Sequence, residues 1–183
     1  MSVSTWTSTR TIRITRGLLT LALVGLGMMI PRVGLPQAIT GPMVNALLIA
    51  IVETTGVGAA VLVGLSTPLS ALGSGVLPLP MMVMIPFIGI GNALLSIVYG
   101  ALKGRNRWLA LVAGAVCKFA WLYGVTAWLV ARPLAVAIGE TQIAVQLPAA
   151  LVGMMQWPQL LTALAGGVLA MGLFKVARIP AEQ

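Results

Sequence analysis

The stretch RWLALVAGAVCKFAWLYGVTAWLVAR, Arg107 to Arg132, decides the fold class. It opens on Arg107-Trp108 and closes on Trp128 and Arg132, with an almost unbroken apolar run between. Indole rings and basic side chains prefer the boundary between water and lipid, so these pairs mark the two ends of a membrane span. About 25 residues at about 1.5 Å each cover a hydrocarbon core of about 30 Å with a little to spare. Lys118 sits near the middle. An ammonium at that depth costs about 2.5 to 3.5 kcal/mol on insertion scales unless it faces protein, water or a partner. Other helices must therefore shelter Lys118, which makes the chain a bundle rather than a single anchor.

Composition agrees. Of the 183 residues, 59% are hydrophobic and 8% are charged, and the mean hydropathy is +1.04. A soluble domain carries about 25% charged residues. The formal charge of +8 would suggest nucleic acid in a soluble protein. Here the charges fall at span ends, where they report topology and contact with the lipid bilayer, and no nucleic-acid partner is expected. The single Cys117 excludes an intrachain disulfide, and the absence of His excludes bis-His haem and ordinary zinc sites. No metal, no cofactor and no catalytic set is expected. The available chemistry is amides, hydroxyls, aromatic rings and one buried lysine.

Outward from that helix, residues 1–16 form a polar segment with Arg10, Arg13 and Arg16, followed by an apolar run from Gly17 to Ile30. Pro31-Arg32 follows instead of a small-x-small cleavage site, so this reads as a retained first helix. Met43–Val52 and Val57–Leu69 flank Glu53-Thr-Thr-Gly56, and are either one long span or two short helices. Basic residues separate these readings. With two helices, Arg10, Arg13, Arg16, Lys103, Arg105, Arg107, Lys175 and Arg178 share one side, and only Arg32 and Arg132 lie opposite. With one, the Lys103–Arg107 loop changes side and the positive-inside bias is lost. Six spans are therefore expected, with both termini cytoplasmic. Gly73–Pro80 reads as an outer loop, Met81–Leu102 as the fourth helix with a kink at Pro86, Arg132–Pro148 as a polar outer stretch, and Leu151–Ala177 as the sixth helix. The reading is an all-α integral membrane protein, one transmembrane domain over 1–183, with a compact bundle of six transmembrane helices at 17–178.

Small residues at Gly56-Ala60-Gly64, Ala110-Gly114 and Ala163-Gly167 form stripes that let helices approach closely in lipid. Gly56 and Gly64 are expected to hold the second and third helices together. Three roles are open to Lys118: holding an anionic ligand with Trp121 stacked nearby, bonding to carbonyls, or pairing with Glu53 across the bundle. Asn92 reads as interhelical glue, since an unpaired amide in the membrane is costly. Asn45 lies within a span as well. Gln156, Trp157 and Gln159 combine donors, acceptors and a ring beside Pro158, the mixture a small-ligand pocket uses. The candidate substrate-binding residues are thus Asn45, Lys118, Trp121, Gln156, Trp157 and Gln159.

TGPMVNA at Thr40–Ala46, LPLP at Leu77–Pro80, MIPF at Met84–Phe87 and GNAL at Gly91–Leu94 follow one another along the chain. With six short spans, this order resembles a substrate-binding S component of an energy-coupling factor (ECF) transporter, over about residues 17 to 177. The resemblance implies a multi-pass subunit of the bacterial cytoplasmic (inner) membrane that captures a vitamin or other small water-soluble metabolite from outside. It implies as partners a transmembrane T component and ATPase subunits, and a ligand site at Gln37–Asn45 and the outer parts of the helices holding Lys118 and Gln156. Family members carry an Ala-xxx-Ala pair on the first helix, where this chain has Ala22 and Gly25 with Leu18 and Leu26. The chain is also similar to S-like proteins that anchor a larger, redox membrane complex without transport. The ligand expected is small and anionic or aromatic.

Overall fold

The computed structural model describes the backbone of residues 3–70, 79–138 and 141–177, and the side chains of 14, 17–70, 82–133 and 146–176. Seven α-helices are described: α1 Val3–Met29, α2 Gln37–Thr54, α3 Val57–Ser70, α4 Leu79–Leu102, α5 Arg107–Ala131, α6 Ala149–Met154 and α7 Trp157–Ala177. A 3-10 turn at Ile30–Val33 follows α1, and two strands, β1 Leu134–Ile138 and β2 Thr141–Val145, lie between α5 and α6. Four helical segments are long and apolar enough to cross a membrane, at 37–54, 82–102, 107–131 and 149–176, and shorter apolar helices run at 17–33 and 57–70. This is the make-up of a multi-pass membrane protein.

Local chemistry sets the ends of these elements. Pro31 fits the first turn of the 3-10 segment, and Gly34 closes it in the left-handed region at φ 74°. The side chain of Asn106 caps α5 by accepting from the backbone N–H of Trp108 at 2.8 Å and Leu109 at 3.0 Å. Between α2 and α3 the chain reverses at Gly56, whose φ is +107°. Val57 of α3 lies against Gly100 of α4, while Leu65 lies against Gly89, so α3 and α4 are antiparallel. By contrast Gly41 of α2 meets Thr162 of α7 and Asn45 meets Gly166, so α2 and α7 run the same way. The residues around Glu53 are therefore a helix end, and the two-helix reading of 43–69 is the one the fold adopts.

Several boundaries differ from those expected. The basic N-terminal segment continues as helix into α1, because no Pro interrupts it. The single helix expected over 151–177 is two, α6 and α7, broken at Met155–Gln156; Pro158 is the second residue of α7, where its missing N–H costs nothing. The stretch expected to be a polar loop holds an antiparallel hairpin, with Leu134 opposite Val145 and Ile138 opposite Thr141. Its alternating Val and Ile residues suit a pleated ladder. Of the Gly73–Pro80 loop, residues 73–78 lie outside the described residues and Leu79-Pro80 begin α4.

The small-residue stripe from Gly56 also needs correction. Ala60 and Gly64 are buried, but Gly64 packs on α4, where an added Cβ would sit 2.9 Å from Cβ of Asn92. An added Cβ at Gly56 would meet nothing within 4 Å. Gly56 is required for its backbone conformation, not for helix contact. Gly56→Ala is expected to lose about 1–3 kcal/mol through strain at positive φ, read as an earlier thermal transition in detergent.

Two apolar cores stack along the bundle. One contains Leu48, Val52, Leu95, Tyr99, Leu111 and Ala163. The other contains Met84, Leu122, Val125, Leu129, Leu151 and Met155. Asn45, Asn92 and Lys118 fall between them along α2, α4 and α5, as a buried polar layer.

Candidate functional site

That layer is built around one ammonium. Lys118 Nζ donates to Oδ1 of Asn45 and to Oδ1 of Asn92, both at 2.7 Å. The three residues are 3%, 1% and 2% exposed. Asn92 in turn donates from Nδ2 to the carbonyl of Gly64 at 3.1 Å, which fixes its oxygen towards the lysine. Gly64 permits this approach because it has no Cβ. The layer ties α2, α3, α4 and α5 together through polar atoms alone.

Its bonding is incomplete in an informative way. An ammonium has three donors and a primary amide two. Two lysine donors are used, and Asn45 Nδ2 has no acceptor among the described residues. Both residues line a cavity of about 400 Å³, whose other polar lining includes Gln37, Thr40, Asn92 and Gln159. Gln37 and Gln159 each donate from Nε2 to the carbonyl of Met154, at 3.4 and 3.2 Å, leaving their side-chain oxygens without a donor among the described residues. Ile85, Ile88, Met154 and Met155 supply apolar wall. The cavity thus presents a cation, an amide N–H and amide oxygens beside apolar wall.

No carboxylate balances the lysine among the described residues. Glu53 is committed elsewhere: Oε1 accepts from Tyr99 Oη at 2.6 Å, and Oε2 lies 3.6 Å from Lys103 Nζ and 3.4 Å from an Arg107 Nη. Lys118 is eleven positions along α5 from Arg107, about 16 Å at the helical rise. The Glu53 pairing considered for Lys118 is thereby excluded. Asparagine side-chain oxygens hold the lysine instead.

Asn45, Lys118 and Gln159 come together at the cavity. The other three candidates do not line it. Trp121 donates from Nε1 to the carbonyl of Phe87 at 2.9 Å and packs against that ring. Trp157 is 63% exposed and stacks on Phe119 with centroids 5.0 Å apart. Gln156 is half-buried in the break between α6 and α7. Asn92 acts as interhelical glue and also orients the lysine. Gln37, Thr40, Gly41, Val44 and Asn45 of α2 also line the cavity, within the Gln37–Asn45 stretch named above. No protein-family model, curated protein or solved structure matches the chain.

Proposed function

We propose that the chain is the substrate-capture (S) subunit of an ECF-type importer and holds a small water-soluble anion on Lys118. The observation that carries this reading is the buried Lys118 ammonium, held by two neutral asparagines in the lining of a cavity, with no carboxylate among the described residues to neutralise it. A buried charge without a counter-ion is costly, and an anionic ligand with acceptor oxygens supplies both the charge and the missing acceptors. The volume suits a metabolite of vitamin size. With six spans, the Lys103–Arg107 loop and both termini lie in the cytoplasm, and the cavity opens outward, between the first turns of α2 and α7. Energy for release comes from partners, a T component and ATPase subunits, as in the family the sequence resembles.

Thermal denaturation of the purified chain with a panel of small carboxylates and phosphates tests the reading. A true ligand at a hundredfold excess over Kd stabilises by about 2.7 kcal/mol. Stabilisation by no anion in the panel, with stabilisation by a neutral or cationic compound, would count against it. Orientation has its own test. Gly104→Cys is expected to resist a membrane-impermeant maleimide applied to intact cells, while Gln146→Cys reacts; the reverse pattern would invert the topology.

A further inference from the structure

A second cavity, of about 630 Å³, lies at the other end of the bundle, where α5 begins and α7 ends. It is lined by Arg107, Lys175, Asn106 and Glu53 with the apolar side chains of Trp108, Met171 and Phe174. We infer that this cavity binds the phosphate of an anionic phospholipid, seated between α5 and α7 with its acyl chains along the apolar lining.

The charge around this cavity is unbalanced. Glu53 is 3% exposed and both its oxygens are occupied, by Tyr99 on one side and by Lys103 and Arg107 on the other. In the lining, Arg107 and Lys175 against Glu53 leave one positive charge in excess, and Lys103, paired with Glu53 beside the cavity, adds a second. Lys175 makes no hydrogen bond or ion pair among the described residues, and Arg107 uses one nitrogen of its guanidinium on Glu53. Asn106 uses its oxygen to cap α5 and keeps its NH₂ as a further donor. A phosphodiester offers the acceptor oxygens these donors lack.

Position and apolar lining point to a lipid. Arg107 and Lys175 stand at the ends of the two longest apolar stretches among the candidate spans, the positions at which a spanning helix meets lipid headgroups. Trp108, 58% exposed, belongs at that same interface. A free phosphate ion would leave Trp108, Met171 and Phe174 against water, whereas a phospholipid covers them. Basic pockets between membrane helices take headgroups in this way.

The test uses the full chain in nanodiscs of mixed phosphatidylcholine and phosphatidylglycerol, released into mild detergent for native mass spectrometry. Preferential retention of a single phosphatidylglycerol is expected. K175Q, which breaks no described contact, should reduce that preference about fivefold, the worth of one interfacial cation. R107Q should reduce it at least as much, and R132Q at the opposite end should leave it unchanged. Equal retention of the two lipids, an unchanged preference in K175Q, or displacement by millimolar inorganic phosphate would each overturn the assignment. Because the outer cavity is remote, K118M should leave lipid retention intact, so the two sites stand or fall separately.

Discussion

Replacing Lys118 with methionine is expected to leave the protein folded and to reduce anion affinity roughly 10- to 150-fold, the effect of losing a hydrogen bond to a charged group of about 1.5 to 3 kcal/mol. Folding survives because two effects oppose one another. The change strands the Oδ1 atoms of Asn45 and Asn92, at about 1–3 kcal/mol each. It also removes a buried ammonium that has no counter-ion among the described residues, worth about 2.5 to 3.5 kcal/mol at mid-membrane. Affinity has no such compensation, since the cation is the only full charge lining the cavity among the described residues. Adding Glu53→Gln should change stability additively, to within about 0.5 kcal/mol, because the two sites are too far apart to couple. A larger coupling, with the double variant recovering stability, would restore the Lys118–Glu53 pair that the geometry excludes.

Gly166→Leu is expected to yield little or no folded protein, and Gly166→Ala to lose about 3 kcal/mol, the upper end of overpacking penalties. At Gly166 an added Cβ would lie 2.5 Å from the carbonyl oxygen of Pro42, 2.7 Å from Cβ of Asn45 and 2.8 Å from the backbone nitrogen of Ala46. Two of these are backbone atoms, which no rotamer change can move, so α2 and α7 must part. Asn45 moves with them, and ligand binding should weaken together with stability. Gly172→Ala on the same helix provides the control: its Cβ would meet nothing within 4 Å, and helix propensity predicts a gain of up to about 1 kcal/mol. Thermal denaturation of the three variants in one detergent decides the matter. Equal transitions for Gly166→Ala and Gly172→Ala would remove the α2–α7 contact from the account.

How far the sequence carries depends on what each feature needs. Lys118 stands out because a lone ammonium in an apolar run is costly wherever its neighbours lie. The division of 43–69 into α2 and α3 was legible too, because membrane topology reads the distribution of Arg and Lys rather than local propensity. The partners of Lys118 were not legible. Asn45 and Asn92 are each recognisable as buried amides, but their convergence depends on how α2 and α4 flank α5. Trp121 shows the same limit, since three positions from Lys118 places it near the same face, yet its indole turns to Phe87 of α4. Pro158 lies at the start of α7, but whether a proline ends a helix or merely bends one is set by the packing around it. Gly56 was misread because a small-residue stripe and a turn glycine look alike until φ is known.

Native mass spectrometry of the full chain, purified from its own membrane in mild detergent beside K118M, tests whether Lys118 holds an anion. One small anionic molecule is expected to be retained by the wild type and absent from a folded K118M. A wild type that carries no such molecule, or a K118M that carries it at equal occupancy, would contradict the assignment of Lys118 as the anion-holding residue.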